Sequence, residues 1–374
     1  MKTRAAILSE MALPRPYAES RPLTIAEVEL DPPGPGEVLL AMRAAGLCHS
    51  DLSVIDGNRP RPLPMALGHE GAGVVEAVGE GVTDLRPGDH VVTCFVPGCG
   101  CCTPCRRGRP ALCEPGMRAN VAGTLLSGAR RLHRGSPLNH HLGVSAFAER
   151  AVVARQSCVK VPDDLAFDQA AIFGCAVMTG VGAVCNTAAL PRGASVAVVG
   201  LGGVGLAALM AARRLDAVSL VAVDLSETKL ALARELGATH TFRANDPGCA
   251  ASIIEATAGG VEFAFEMAGA VPALELAWAV TARGGTTITA GLPHPDKQFA
   301  LRHVVLVAEE RSLKGSYLGS AVPARDIPRY IDWYRRGELP VDRLLSEHLR
   351  LEDINEGFDR LAAARTIRQI VVFD

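Results

Sequence analysis

The hydrophobic positions in the second half of the chain follow a pattern around which the rest is organised. Residues 195–199 form an apolar run, a glycine-rich turn follows, and residues 203–212 continue as an almost wholly apolar helical segment. A second apolar run over residues 219–223 ends in Asp224. A strand, a glycine turn, a helix and a second strand ending in an acid predict one βαβ unit.

The alternation of strands and helices continues beyond this unit. A helical pattern begins at Ser226, and β-type runs follow near residues 240–242, 262–266 and 286–290. Strands that alternate with helices of this length predict a doubly wound parallel sheet of the Rossmann type. We therefore expect an α/β coenzyme domain in this half of the chain.

The first 160 residues show a different pattern. Short β-type runs such as residues 36–40 and 73–78 are broken by proline and glycine, which predicts a β-rich, barrel-like domain. Residues 114–140 are polar and carry arginine and glycine, so we expect a long surface loop there. At the other end, a helix near residues 354–363 and a strand near 368–373 are predicted to return to this first domain.

The glycine-rich turn has the residue types that a dinucleotide-binding loop needs. Gly200 allows the tight turn, Gly202 lets the backbone approach a pyrophosphate, and Gly205 lets the helix pack closely on the sheet. Gly203 and Val204 open the helix, whose N-terminal N–H groups and partial positive charge favour phosphate. The alternative, that these glycines only punctuate a loop, is weakened because strand, helix and terminal acid all occur where expected.

Asp224 indicates which dinucleotide is bound. Its carboxylate would accept hydrogen bonds from the adenosine ribose and repel a 2′-phosphate, since one charge pair at ~4 Å and an effective dielectric of ~20 is worth ~4 kcal/mol. Leu225 offers no arginine to reverse this preference. The sequence therefore predicts NAD as the cofactor rather than NADP.

Length and composition restrict the class of protein. The 374 residues suffice for two domains, and 48% hydrophobic with 21% charged residues are ordinary for a globular protein. The net charge of −2 gives no basic footprint for nucleic acid or acidic membranes. The apolar run at the N-terminus is too short for a signal peptide, and the glycines within residues 196–212 argue against a membrane span. We expect a cytoplasmic location.

Four of the eleven cysteines are spaced for a metal. Cys99, Cys102, Cys105 and Cys113 lie within fifteen residues, which suits a closed tetrahedral zinc site. An iron–sulfur cluster is the competing interpretation, but the bacterial ferredoxin run has three residues before its last cysteine and then proline, whereas here there are seven and then glutamate. Cys101 is off the spacing and is treated as a bystander. A reducing compartment fits this use of cysteine.

A second group of candidate ligands is dispersed along the chain. Cys48, His69 and Cys175 together could form an open zinc site whose fourth position takes water or substrate. Taken singly, each has an ordinary structural explanation, because an isolated cysteine is usually a small buried apolar residue. The triplet Gly68-His69-Glu70 and a cysteine just before the nucleotide unit favour the metal site.

These motifs together resemble the zinc-containing medium-chain alcohol dehydrogenases over essentially the whole chain. The matching segments are Cys48-His-Ser-Asp, Gly68-His-Glu-Gly, Pro87-Gly-Asp-His-Val, the four-cysteine run, Gly174-Cys175 and Gly200–Gly205. The resemblance implies a GroES-like catalytic domain over residues 1–176 and 318–374, and an NAD-binding Rossmann domain over residues 177–317. It also implies a homodimer that pairs edge strands near Leu313.

The resemblance assigns the metal ligands. Cys48, His69 and Cys175 would hold a catalytic zinc, and Glu70 would sit behind it and enter its coordination transiently. The four-cysteine run would hold a structural zinc, giving two zinc ions per chain. The catalytic zinc would act as a Lewis acid that lowers the pKa of an alcohol.

It also assigns the residues that contact cofactor and substrate. Ser50 would take the first proton, while His49 and Arg368 would contact the pyrophosphate. Thr179 would touch the nicotinamide end and Lys229 the adenosine ribose. The residues implied to line the substrate pocket are Phe95, His141 and Leu142.

The implied activity is the reversible oxidation of a primary or secondary alcohol, medium-chain or aromatic, to an aldehyde or ketone. Many relatives have a histidine where this chain has Ser53, so the proton would leave through water or another base. Glutathione-dependent formaldehyde dehydrogenases are one alternative, although Asn58–Arg61 lacks their acids and Met117 replaces their arginine. A non-catalytic NAD-binding relative is the alternative from another class.

Overall fold

The computed structural model describes all 374 residues. They divide into two compact units. The first contains Met1–Cys175, Val322–Pro328 and Asp342–Asp374, and the second contains Ala176–Ala321 and Arg329–Val341.

The regular elements are many and short. The strands, in chain order, are β1 (Lys2–Leu8), β2 (Leu23–Leu30), β3 (Glu37–Gly46), β4 (Met65–Ala66), β5 (Glu70–Val78), β6 (His90–Thr93), β7 (Leu132–His133), β8 (Pro137–His140), β9 (Arg150–Ala154), β10 (Cys158–Lys160), β11 (Ser195–Val199), β12 (Ser219–Asp224), β13 (His240–Arg243), β14 (Val261–Glu266), β15 (Thr281–Thr289), β16 (Ser312–Gly315), β17 (Leu345–Leu349) and β18 (Arg368–Val372).

The α-helices are α1 (Tyr17–Ser20), α2 (His49–Ile55), α3 (Thr103–Arg106), α4 (Glu114–Ala122), α5 (Phe167–Ala171), α6 (Ala176–Gly182), α7 (Gly203–Arg214), α8 (Glu227–Glu235), α9 (Cys249–Ala256), α10 (Val271–Val280), α11 (His303–Ala308), α12 (Pro323–Arg335) and α13 (Ile354–Ala362). A π-helical turn spans Ala183–Thr187. Short 3-10 turns lie at Pro110–Leu112, His141–Gly143, Arg155–Ser157, Ile172–Gly174, Leu318–Ser320, Val341–Leu344 and Leu351–Asp353.

The first unit is the β-rich domain that the sequence predicts. Strands β1, β2, β7, β8 and β4 close into a small barrel, and a second sheet has the order β10-β6-β5-β3-β18-β17 with β9 also paired to β3. The barrel core is apolar and fully buried at its centre, with Ala5, Ile7, Leu125 and Leu132 among its members. The C-terminal strand β18 pairs antiparallel with β3, so the tail returns to this unit as expected.

The predicted surface loop over residues 114–140 is wrong. This segment contains α4 and the barrel strands β7 and β8, and Leu125, Leu132 and Leu138 are buried in the barrel core. Each of these strands is two to four residues long, so neither shows the alternation that marks a strand in sequence. Their pairing with the distant β2 and β4 fixes them instead.

The second unit is the doubly wound domain that the sequence predicts. Its six strands are all parallel, in the order β13-β12-β11-β14-β15-β16. The central strand β11 (Ser-Val-Ala-Val-Val) is buried almost throughout, as expected for a parallel strand covered on both faces. Helix α7 buries most of its length and ends in Arg213 and Arg214, whose charges suit a helix C-terminus.

No single helix of the chain is long and apolar enough to cross a membrane. One pair of helical segments, Phe167–Gly174 and Ala176–Thr187, reaches that length and composition only when the two are counted together across a bend.

Candidate active site

Three buried side chains of metal-binding type meet in the first unit. Cys48 directly precedes α2, His69 directly precedes β5, and Cys175 follows the turn after α5. Their ligand atoms all lie within 4.8 Å of one another. The backbone that delivers His69 requires glycine before it, because Gly68 has φ +93° and a Cβ there would lie 2.4 Å from the N of Phe147. We refer to Cys48, His69 and Cys175 as the trio.

The chemistry of the trio fits zinc. The hydrogen bond from Cys175 lowers the pKa of Cys48 well below its usual value, with help from His69 and against the effect of burial. The same contact, reinforced by burial, raises the pKa of Cys175. Nε2 of His69 is buried and has no hydrogen-bond partner. Two sulfurs and one imidazole form a set that zinc uses in catalytic sites, with a fourth position open to water or substrate.

Asp51, for which the sequence reasoning gave no role, lies behind His69. Its Oδ2 is 3.0 Å from Nδ1 of His69, and its Oδ1 accepts a hydrogen bond from the N–H of Gly68 at 3.0 Å. Burial would raise the pKa of Asp51, but the neighbouring His69 and His141 lower it to about 2. The charged carboxylate holds the Nδ1 proton of His69 and leaves Nε2 for a metal ion. No local spacing signals this contact, because Asp51 and His69 meet only in the folded chain.

Glu70 and Arg368 form a buried ion pair next to the trio. Nη1 of Arg368 lies 2.9 Å from Oε2 of Glu70 and donates to the carbonyl of Leu47 at 2.8 Å. Burial would lower the pKa of Arg368, but the carboxylate of Glu70 raises it above its usual value. Position 46 must be small, because a Cβ on Gly46 would lie 2.6 Å from Oε2 of Glu70. Arg368 is thus buried against Glu70, and its contact with a pyrophosphate stays a prediction.

Two of the predicted pocket residues lie against His69. The ring of Phe95 is edge-on to the imidazole with centroids 5.1 Å apart, and the ring of His141 is edge-on at 5.6 Å. Leu142 follows His141 and is also buried. Ser50 lies in the first turn of α2 and is partly exposed. The structure therefore places aromatic and apolar surface beside the trio.

The four cysteines of the second predicted zinc site also converge. The Sγ atoms of Cys99, Cys102, Cys105 and Cys113 lie within 4.8 Å of one another. Backbone N–H groups point at the sulfurs: Cys102 donates to Cys99 at 3.3 Å and Cys99 donates to Cys113 at 3.2 Å. Burial would raise the pKa of Cys99, but hydrogen bonds from nearby backbone groups lower it to about 6. This group, which we call the four-cysteine cluster, suits a closed structural zinc site.

The glycine-rich turn of the second unit has two close contacts and one open position. Gly200 has φ +95°, and a Cβ there would lie 2.8 Å from Ala268. A Cβ on Gly205 would lie 1.8 Å from the carbonyl oxygen of Gly200. A Cβ on Gly202 would meet nothing within 4 Å. The open space at Gly202 is what an approaching phosphate needs, and Gly203 and Val204 begin α7 directly after it.

Asp224 ends β12 beside this turn. Its Oδ2 accepts a hydrogen bond from the N–H of Leu201 at 2.7 Å, and its Oδ1 accepts one from Ser226 at 2.9 Å. A carboxylate has about four acceptor sites, so capacity remains for the hydroxyls of a ribose. Lys229 lies in α8 directly after Asp224, and Thr179 lies in α6 of the same unit.

Comparison with known proteins identifies the family. The profile described as "Alcohol dehydrogenase GroES-like domain" matches residues 34–163, and that described as "Zinc-binding dehydrogenase" matches residues 203–336. The NDMA-dependent alcohol dehydrogenase of Amycolatopsis methanolica is 38% identical, with 100% of this chain and 99% of that protein covered. The chain belongs to the zinc-dependent medium-chain alcohol dehydrogenases. It is therefore an oxidoreductase of that family.

Two further relatives show the range of this family. S-(hydroxymethyl)glutathione dehydrogenase of Paracoccus denitrificans is 36% identical over the full length of both chains. The crystal structure of benzyl alcohol dehydrogenase from Acinetobacter calcoaceticus is 31% identical and superposes with a TM-score of 0.93, covering 100% of both chains.

Proposed function

We propose that the protein reversibly oxidises primary or secondary alcohols to aldehydes or ketones and transfers the hydride to NAD. The observation that carries this proposal is the trio, which brings two cysteines and one histidine together in a buried site. The charged carboxylate of Asp51 faces its histidine. A site with three protein ligands leaves a position for a substrate oxygen, whereas a structural site is closed by four.

Residues around the trio have separate tasks in this proposal. Zinc bound there supplies the Lewis acidity that lowers the pKa of an alcohol hydroxyl. Ser50 would take the proton of that hydroxyl at Oγ while it passes its own hydroxyl hydrogen to water, so that the serine stays neutral. Ser53 does not continue the path as a base, because its hydroxyl donates to the carbonyl of His49 at 2.8 Å. The proton then leaves through water, and the ion pair of Glu70 with Arg368 supports the wall of the site.

The cofactor assignment rests on the second unit. Asp224 stands at the end of β12, where it receives the adenosine ribose, and the N-terminus of α7 receives the pyrophosphate. The charge of Asp224 opposes a 2′-phosphate by ~4 kcal/mol at ~4 Å, which supports NAD over NADP.

The substrate class follows from what lies beside the trio. Phe95 supplies aromatic surface beside His69, which favours medium-chain or aromatic alcohols. The similarity to a benzyl alcohol dehydrogenase supports the aromatic class.

The similarity to the Paracoccus enzyme favours a second candidate, oxidation of the glutathione adduct of formaldehyde. Arg59, Arg61 and Arg118 are the cations that could meet the carboxylates of such an adduct, although none stands at the positions that formaldehyde dehydrogenases use.

One panel separates the two candidates. Initial rates of NADH formation are measured with ethanol, octanol, benzyl alcohol, a cyclic secondary alcohol, and formaldehyde with and without glutathione. Strong rates with octanol and benzyl alcohol support the proposal. A rate that requires both formaldehyde and glutathione would replace it with the second candidate, and no rate with any member of the panel would leave a non-catalytic relative.

The proposed assembly is a homodimer. Strand β16 is the edge of the parallel sheet, and all four of its residues are exposed. An exposed edge strand is a template for pairing with a second copy.

A further inference from the structure

A second histidine shares the carboxylate that lies behind the trio. Nδ1 of His141 is 2.9 Å from Oδ1 of Asp51, while Oδ2 faces Nδ1 of His69 at 3.0 Å. The N–H of Gly68 donates to Oδ1 at 3.0 Å. Asp51 is fully buried, as are both histidines to within 1%. Three groups therefore fix both oxygens of one carboxylate that has no contact with solvent.

The direction of these contacts follows from the chemistry of the groups. An ionised carboxylate can only accept hydrogen bonds. Because the two Nδ1 atoms lie 3.0 and 2.9 Å from oxygens of Asp51, each carries the hydrogen on the side that faces the carboxylate. For His69 this tautomer leaves Nε2 without a hydrogen, which is the form that binds a metal ion.

The orientation of Asp51 depends on His141. The torsion that turns a carboxylate about its Cβ–Cγ bond is soft, with broad and roughly two-fold preferences. Without His141, only the N–H of Gly68 would hold Oδ1, and the carboxylate could turn away from His69. The backbone around His141 is also specialised: Leu142 has φ 51°, a left-handed conformation that non-glycine residues adopt rarely. Such conformations persist where the surrounding structure requires them, often at functional sites.

We propose that His141 is a positioning residue for the zinc-binding histidine. Through Asp51 it fixes the imidazole of His69 and slows loss of the metal from the trio. The inference rests on the proposed metal-binding role of the trio and adds a second histidine-to-carboxylate contact, that of His141 with Asp51, to the one that His69 makes. Partners behind metal ligands typically change metal affinity 10–100-fold when removed.

The same groups allow a competing arrangement. Ligand atoms of Asp51, His69 and His141 also lie within 4.8 Å of one another. A metal held there would need Nδ1 of His69 without its hydrogen, so it would compete with the contact to Asp51. This alternative predicts a third metal ion per chain.

The test uses two substitutions of similar size in the full-length holoenzyme. His141→Asn places an amide N–H where Nδ1 of the histidine lies. His141→Leu introduces a side chain of nearly the same shape as asparagine that cannot donate a hydrogen bond. Zinc per chain is measured first. Release of zinc to a chromogenic chelator is then followed in time, with the four-cysteine cluster as the internal reference within each chain.

We expect two zinc ions per chain in the wild type. The trio and the four-cysteine cluster should release their zinc at different rates, which gives two separate phases. In His141→Leu, release from the trio should be about 10–100-fold faster, and in His141→Asn it should stay within about threefold of wild type. The four-cysteine phase should not change. The visible spectrum of the Co(II)-substituted trio should shift in the Leu variant and not in the Asn variant.

Other outcomes would overturn the inference. Equal release from both variants, fast or slow, would mean that donation by His141 is irrelevant. A third zinc per chain would assign His141 as a metal ligand. A wild type that retains only the four-cysteine zinc would overturn both this inference and the proposed function. If His141→Leu does not fold, His141→Gln replaces it, since its amide lies one bond too far out and should also release zinc quickly.

Discussion

At the scale of single residues, Cys101 and Cys102 are adjacent in sequence but differ in their contacts. Cys102 lies within the four-cysteine cluster, and its N–H donates to the sulfur of Cys99. Cys101 is exposed, and its sulfur lies 3.6 Å from that of Cys99. We therefore expect Cys101→Ser to retain two zinc ions per chain and its melting temperature. Cys102→Ser should lose one zinc and melt earlier, because structural zinc contributes on the order of 10 kcal/mol in small peptides.

Zinc per chain and thermal unfolding, measured together, check this prediction. The two serine variants are matched, since each removes one sulfur from the same loop. Loss of zinc from the Cys101 variant would show that this residue ligates the metal after all.

His140 gives the fold a dependence on pH. Its Nε2 accepts the N–H of Arg131 at 3.0 Å, and its Nδ1 lies 3.3 Å from the hydroxyl of Ser145. Burial lowers the pKa of His140 to about 4. In the unfolded chain the pKa of histidine is about 6.5, so above that pH His140 is neutral in both the folded and the unfolded protein. As the pH falls below about 6.5, the unfolded protein binds the proton first. Stability is therefore lost between about pH 6.5 and about pH 4.

The measurement compares the wild type with His140→Gln, whose amide oxygen can replace Nε2 as an acceptor and cannot titrate. Between pH 7.5 and 5 the free energy of unfolding of the wild type should fall by about 2 kcal/mol more than that of the variant, at 1.36 kcal/mol per pKa unit. Equal losses in the two proteins would contradict the assignment.

At the scale of elements, two glycines of the β11–α7 turn have opposite surroundings. A Cβ on Gly205 would lie 1.8 Å from the carbonyl oxygen of Gly200, whereas a Cβ on Gly202 would meet nothing within 4 Å. Gly205→Ala should therefore force α7 away from β11 and destabilise the protein. Gly202→Ala should fold with wild-type stability, since φ is −74° there, but place a methyl group where the pyrophosphate approaches.

Thermal unfolding and titration with NADH separate the two effects. We expect a lower melting temperature for the Gly205 variant, and an unchanged melting temperature with at least about tenfold weaker NADH binding for the Gly202 variant, which is about 1.4 kcal/mol. Wild-type NADH affinity in Gly202→Ala would contradict the placement of the phosphates.

The elements also show what the sequence could predict. The βαβ unit from Ser195 to Asp224 was predicted within a few residues, because its signals are local: an apolar run, a glycine turn and an acid. Strands β7 and β8 were missed because their residues are held by pairing with distant strands. The ligand residues were found from motif spacing. The contacts of Asp51 with His69 and His141 were not, since residues 51, 69 and 141 meet only in the folded chain.

At the scale of the whole molecule, the second unit has an exposed apolar segment next to its sheet edge. Large apolar side chains that are more than one-third exposed lie at Leu292, Val304, Val307 and Leu313. If this segment pairs two chains, light scattering should give twice the chain mass. The double variant Val304→Asp with Val307→Asp should shift the protein to monomer.

Val218→Asp is the matched control, because Val218 is exposed but lies outside this segment. The control should remain dimeric. A wild type of single-chain mass, or a dimer that the double variant leaves intact, would argue against pairing through this segment.

The proposed NAD-dependent oxidation of alcohols depends on a metal ion held by the trio. The most direct test follows NADH formation from benzyl alcohol before chelation, after removal of the zinc that the trio holds, and after zinc is restored. That zinc is identified as the ion whose release His141→Leu accelerates. We expect a steady rate of NADH formation at the start, loss of that rate when one zinc per chain is removed, and its recovery when zinc is added. An unchanged rate after that zinc is lost, or no NADH at any stage in protein that holds two zinc ions per chain, would contradict it.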